Sequence, residues 1–312
     1  MTGWAVRNRH PADAQTGREG LRHGFFLRQA RLNARLQFNR RLRAKISVDL
    51  ADALGSPERV AFLRDAWANI KIRRAFQIRA GRLKRPFSRL ERRGSSKLPF
   101  HGRGLFNALA IEQLAWGDRT VGVMLWGDVK TANLRWQAMA SNPGPGSEGV
   151  DAIARIEYEP TNWLSLGANG GYKNLENAAQ DRLSVFAGGG DLRLRVGDLY
   201  AAAEFDAAQD WTYDPQQREA PWTLGAVGYV NYNFHVSEST TLQPIVVAEW
   251  ADSDTSFLQS ESLRVVLGFN LLWTDNLRVM PQIELVRPLG TVSEYSRWVQ
   301  EETYSLLLSL QM

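Results

Sequence analysis

The sequence predicts an all-β chain, a single 16-stranded antiparallel transmembrane β-barrel spanning residues 1–312, with short periplasmic turns and long extracellular loops. Three observations carry this expectation. Side chains alternate between apolar and polar along most segments, the period-two signature of a strand with two different faces. No apolar run approaches the ~18–20 residues of a membrane-spanning helix. Connections between the segments alternate between short and long.

Strand-like sequence begins at 3–9 and is clearest at 26–39 and 41–51. In the first of these two, Ala30, Leu32, Ala34, Leu36 and Phe38 oppose Arg31, Asn33, Arg35, Gln37 and Asn39. Across a turn at Asn39-Arg40-Arg41, Leu42, Ala44, Ile46, Val48 and Leu50 oppose Arg43, Lys45, Ser47 and Asp49. Each strand thus has one oily and one cationic wall, as expected with lipid outside and a polar lumen inside. Further strands are expected at 60–73, 75–84, 119–127, 133–140, 151–159, 163–173, 182–196 and 198–206. The last five fall at 222–235, 241–251, 262–273, 276–287 and 303–312. Most are near the ~9–11 residues that a tilted spanning strand needs.

Pro244 and Pro281 fall mid-strand, where proline removes a ladder donor, and Gly188-Gly189-Gly190 switches the apolar parity. Each proline marks a bulge or a strand boundary, and the glycine run a bulge. Residues 104–116 read as one short helix within the longest connection. Arg40, Arg74, Pro160-Thr161-Asn162, Gly197 and Thr274-Asp275-Asn276 sit in short turns. The long connections are 10–25, 52–59, 85–118, 141–150, 174–181, 207–221, 252–261 and 288–302. A soluble sandwich has no reason to alternate its loop lengths so regularly, whereas a membrane barrel does.

Composition narrows the chemistry. There are no cysteines, which excludes a disulfide framework and a thiolate metal site. His10, His23, His101 and His235 lack metal-ligand spacing, and neither a nucleophile elbow nor a phosphate-cradling loop occurs. No catalytic residue, metal or cofactor is therefore expected. Charge is very uneven: residues 1–105 carry 25 Lys and Arg against 7 Asp and Glu, and residues 106–312 carry 13 against 26. Such asymmetry points to an anionic partner. Nucleic acid is not the expected one, because a soluble binder would turn the rows of Leu, Val, Phe and Ala into water. The chain shows no export signal ahead of the strand-like Thr2–Arg7; an outer-membrane destination implies that one was removed or lies upstream. Trp4, Trp126, Trp163, Tyr172, Trp222, Trp250, Trp273 and Trp298 sit near strand ends, where aromatic girdles meet the membrane interface.

The candidate anion path is a cationic lumen wall. Arg31, Arg35, Arg43 and Lys45 alternate strictly with apolar residues, and Lys71, Arg73, Arg79 and Arg82 are assigned to the same wall. Lys84, Arg85, Arg89, Arg92, Arg93 and Lys97 lie where the chain enters the long connection 85–118. A loop of that length is expected to fold inward and constrict the lumen. Arginine suits an anion path, since its planar fork grips paired oxygens and stays charged, and rings of Arg and Lys select anions in pores. The competing reading of the wall is neutralisation by Asp49, Asp65 and loop acids. Glu157, Glu159, Glu204, Glu249 and Glu284 could instead oppose the basic wall and give a weakly selective pore with a transverse field. A barrel enzyme is the remaining alternative.

Four stretches together resemble the phosphate-selective porin O and P family: Arg28-Gln-Ala-Arg-Leu-Asn-Ala-Arg-Leu36, Ala61-Phe-Leu-Arg-Asp-Ala-Trp67, Arg79-Ala-Gly-Arg-Leu-Lys-Arg-Pro-Phe-Ser88 and Ser95-Ser-Lys-Leu-Pro-Phe100. Arg119-Thr-Val-Gly-Val-Met124 adds to the likeness, which is good over about 25–125. The resemblance implies a homotrimeric porin in the outer membrane of a Gram-negative bacterium, seated in its lipid, with small phosphate-like inorganic anions as cargo. The chain departs from the family in lacking a visible signal and in ending Leu310-Gln311-Met312 rather than on an aromatic residue.

Overall fold

The structure, a computed structural model, describes residues 2–9, 20–27, 30–50, 63–94, 97–143, 148–176, 182–212, 220–256, 260–273, 277–289 and 303–311. Side chains are described over the same ranges except 2–9, 20–27 and 303–311. Most residues of the long connections 10–25 and 288–302, and all of 52–59, lie outside these ranges, as does Trp298.

The chain is built from strands. The first six are β1 (Thr2–Arg9), β2 (Gly20–Leu27), β3 (Arg31–Gln37), β4 (Leu42–Asp49), β5 (Leu63–Arg73) and β6 (Phe76–Lys84). After the long connection come β7 (Arg119–Val129), β8 (Leu134–Ser141), β9 (Glu148–Tyr158), β10 (Leu164–Glu176), β11 (Arg182–Val196) and β12 (Leu199–Gln209). The series ends with β13 (Trp222–Tyr232), β14 (Phe234–Ser237), β15 (Thr240–Asp252), β16 (Glu261–Trp273), β17 (Leu277–Pro288) and β18 (Thr303–Gln311). Every segment expected to be extended contains a strand. Pairing is antiparallel throughout: β3 to β13 pair in sequence order, β13 and β14 both pair with β15, and β15 to β18 continue the order. β1 pairs with both β2 and β18.

The two faces separate by parity. Leu32, Leu36, Ile46, Ile70, Val121, Val123, Phe186, Phe205, Val246 and Leu267 stand exposed on one face. Asp49, Asp65, Asn69, Asp151, Arg155, Lys173, Asp191, Glu204, Glu249 and Arg264 are buried on the other. An apolar exterior over a polar interior inverts the usual arrangement of a water-soluble domain and is the arrangement of a sheet bathed in hydrocarbon.

The expected bulges at Gly188-Gly189-Gly190, Pro244 and Pro281 do not form. The β10–β11 and β11–β12 registers run unshifted through the three glycines. Pro244 holds register opposite Phe269, and Pro281 opposite Leu308. The parity switch in β11 has another cause. Leu183, Val185 and Ala187 lie in the same row as Asp191, but all three are buried, and Val185 and Ala187 cluster with Phe87, Ile111 and Trp116 from the connection between β6 and β7. The face is apolar there because protein, not water, lies against it.

True irregularities occur between Ser47 and Val48, between Lys71 and Arg73, and between His235 and Ser237. Gly81 marks another special position. Its φ is +125°, and an added Cβ would lie 2.2 Å from the Ala66 carbonyl oxygen on β5. Gly81→Ala is therefore expected to destabilise the chain by about 1–3 kcal/mol from backbone strain, with the clash adding to it. A fall in the urea midpoint of the protein refolded in detergent checks this.

Candidate functional site

The described residues of 85–118 pack against the polar face of β9–β17. A single helical turn, Arg89–Arg92, is capped by Ser88, whose Oγ accepts from the Glu91 amide at 3.1 Å. The helix expected over 104–116 appears as a shorter π-helical segment, Asn107–Gln113. Two apolar clusters hold the segment. Phe87, Phe106, Ala110, Ile111, Leu114 and Trp116 meet Ile153, Val185, Ala187 and Ala208. Leu90, Leu98 and Phe100 meet Ala202, Tyr229, Ile245, Val247 and Val266.

Charge completes the docking. Arg85 Nη2 reaches Asp151 at 2.7 Å and the Asn142 carbonyl at 2.6 Å. Arg89 Nε reaches Asp191 at 2.5 Å, and its Nη2 donates to Ser165 Oγ at 2.8 Å. Arg92 pairs with Glu157. Lys84 pairs with Glu91 at 2.5 Å. Acids on the wall also accept backbone amides: Glu204 takes those of Arg89 and Leu90 at 2.6 and 2.9 Å. Glu249 takes those of Leu105 and Phe106 at 2.7 and 3.1 Å. Gly104 permits that approach, since a Cβ there would lie 2.2 Å from Glu249 Oε2. Arg155 and Arg264 bind the same acids from the strands, Arg155 to Asp191 and Glu157, Arg264 to Glu249 and Glu284. Burial lowers the Arg85 and Arg92 pKa values against the opposing pull of Asp151 and Glu157. At Arg89 burial acts the same way but Asp191 outweighs it, and the pKa rises. All three remain cations that anchor the segment.

The expected wall residues divide into distinct groups. Arg31 pairs with Asp49 at 2.8 Å and Lys45 with Asp65 at 2.6 Å, which is the neutralised reading for these two. Arg35 and Arg43 stand exposed on the polar parity, with no carboxylate at ion-pair distance among the described residues. Lys71 shares that row, opposite Gln77, while Arg73 is exposed at the irregular turn opposite Phe76. Arg79 lies 4.3 Å over the Trp67 ring and 5.0 Å from the Trp126 ring, and its Nε donates to Asn69 Oδ1 at 3.4 Å. Aromatic faces hold such a cation without cancelling its charge. Arg82 does not share this wall. It lies opposite Ala66 and in the row of Ala80, because its parity differs from that of Arg79, and its Nε donates to the Leu63 carbonyl at 2.9 Å. Trp126 likewise faces the polar side, bonding Asn69 at 2.8 Å, so it is no girdle residue; Trp163 and Trp273 are exposed.

Among the loop residues, Lys97 is exposed, and Arg93 donates to the Tyr200 and Tyr229 hydroxyls at 2.7 and 3.2 Å. Sequence reading missed the anchors Asp151, Lys173, Asp191 and Arg264. Their strand parity marked them as polar-face residues, but nothing local names a partner on another strand or on the inserted segment. It also missed Arg278, whose Nη1 donates to the Leu98 carbonyl at 2.8 Å.

The fold recurs in known porins. An anion-selective porin from Comamonas acidovorans superposes with a TM-score of 0.70 at 11% identity, covering 99% of this chain and 96% of that one. Salmonella typhi OmpF in complex with daunomycin gives 0.69 at 12% identity, covering 100% and 96%. The trimer form of Vibrio cholerae OmpT gives 0.63 at 13% identity, covering 100% and 98%. At such identities these likenesses speak for the fold. No curated protein sequence matches. The model of the phosphate-selective porin O and P family matches residues 9–197, more than half of the chain and well beyond the motif-bearing stretch. With an apolar exterior, a polar interior and a porin's strand order behind that match, the chain belongs to the phosphate-selective porin O and P family.

Proposed function

We propose that the sheet closes into a sixteen-stranded barrel in an outer membrane and conducts small anions, phosphate-like in kind, by passive diffusion. Two interruptions reconcile eighteen strands with sixteen. β13 and β14 both pair with β15 in one register across Asn233, and so act as one strand. β2 and β3 take different partners, β1 and β4, and counting them as one strand brings the total to sixteen. The pairing of β1 with β18 supports closure. Residues 85–118 then lie in the lumen, and the uncovered polar wall is that of β3–β6.

One observation carries the anion reading. Arg85, Arg89 and Arg92 of the inserted segment pair with acids of β9 and β11, while Arg35, Arg43 and the ring-held Arg79 keep their charge on the open wall. The weakly selective alternative needs an uncompensated acidic wall. Glu157, Glu159, Glu204, Glu249 and Glu284 all accept from arginines or from backbone amides, which argues against a transverse field. The family match and the trimeric relative support a homotrimer seated in outer-membrane lipid, and a channel rather than an enzyme.

The decisive measurement is the reversal potential in a potassium chloride gradient across a planar bilayer. The expected sign is that of current carried by chloride, with inorganic phosphate reducing that current. A potential of zero or of the potassium sign would rule out the proposal.

A further inference from the structure

A second group of cations without acidic partners sits on the polar face near the turn between β11 and β12. Arg93 and Lys97 come from the inserted segment, Arg195 from the end of β11 and Arg278 from the start of β17. Together they border a cavity of about 240 Å³. Among the described residues none of the four meets a carboxylate at ion-pair distance. Arg93 instead bonds two phenols and lies 5.2 Å over the Tyr200 ring, and Arg278 bonds the Leu98 carbonyl. Arg93 and Arg278 are close enough for their charges to act on each other. The one acid on the rim, Asp198, is engaged by His235 Nε2 at 2.9 Å.

Gathering like charges around an empty space is unfavourable by Coulomb's law, and an anion in the space would reverse the sign of that cost. The remaining lining decides which anion fits. Asn231, Asn233 and Gln243 line the cavity beside Tyr200. Gln243 Nε2 donates to Asn233 Oδ1 at 2.7 Å and Gln243 Oε1 accepts from Asn270 at 2.7 Å, which fixes the amide orientations. Amides and phenols bind hydroxyl groups, being donors and acceptors at once. At about 30 Å³ per water, the space holds roughly eight waters, far more than one tetrahedral oxyanion displaces.

We infer that this cavity binds a phosphorylated sugar, with the phosphate held by Arg93, Lys97 and Arg278 and the sugar hydroxyls by Asn231, Asn233 and Gln243. The inference rests on the proposed anion path, which delivers the ligand to it.

The test is block of the chloride current by glucose 6-phosphate, inorganic phosphate and glucose, each added to either side of a planar bilayer. Glucose 6-phosphate is expected to block at a concentration at least tenfold below that of phosphate, and more readily from the side bearing the short turns; glucose should not block. Lys97→Gln, at an exposed residue with no side-chain bond among the described residues, is expected to raise the half-blocking concentration of both phosphates at least tenfold. Asn233→Leu should weaken glucose 6-phosphate alone. Equal block by the two phosphates, or block unaltered in both variants, overturns the inference. The reversal potential of the same channels is read separately, so a channel that prefers chloride yet fails to discriminate the phosphates sinks this site and leaves the anion path standing.

Discussion

Asp151→Asn is expected to cost about 3–5 kcal/mol of folding stability and to turn a steady open-channel current into a larger, fluctuating one. Asp151 is fully buried and faces two cations, Arg85 at 2.7 Å and Lys173 at 2.9 Å, whose side chains are 2% and 0% exposed. Lys173 also donates to the Ala115 carbonyl at 3.2 Å and lies 4.9 Å from the Trp116 ring. One carboxylate thus ties down both ends of residues 85–118. Asparagine keeps the shape and removes the charge, leaving the Arg85 guanidinium and the Lys173 ammonium without their carboxylate in a site with little access to water. The stability loss should appear as a lower urea midpoint in detergent, and the freed segment as current noise and higher mean conductance. Asp151→Asn combined with Lys173→Met removes one of the two stranded cations and should recover part of both effects. A single variant with parental midpoint and parental current would show that the apolar clusters alone hold the segment.

The strand faces were legible because period two is a local property. Leu32, Leu36 and Ile46 could be assigned to one face and Arg35 and Arg43 to the other from their own neighbours. What docks on a face is not local. Leu183, Val185 and Ala187 broke the alternation, and the simplest local explanation was a bulge at the glycines that follow. The packing of Val185 and Ala187 with Phe87 and Trp116 shows that a polar face turning locally apolar marks a landing place for another segment. The same limit explains the arginines of the inserted segment. Arg85, Arg89 and Arg92 are as basic as Arg35 in the sequence, yet their partners lie 66, 102 and 65 residues away, and only the fold sorts anchors from free charges. Arg82 is a different case: its parity against Arg79 was readable, and density of charge outweighed it.

That sorting predicts where selectivity resides. Arg35→Glu with Arg43→Glu should invert the preference of the pore from chloride to potassium, shifting the permeability ratio by at least about tenfold, equivalent to ~1.4 kcal/mol. Both side chains are exposed on the polar row. Arg35 lies opposite Lys45, which is paired with Asp65, a carboxylate that Arg119 shares, and Arg43 lies between Gln37 and Asn69. Neither holds the fold together, so the reversed charges should act on ions rather than on stability. The effect should shrink from 0.1 M to 1 M salt, as the screening length falls from ~10 Å to ~3 Å. Arg89→Gln is the informative contrast. It removes the same type of charge, but that charge is already paired with Asp191, which Arg155 shares, so the chloride preference should fall less than in the double variant while stability suffers. A reversal potential unmoved by the double substitution, or moved more by Arg89→Gln, would locate selectivity on the inserted segment and not on the open wall.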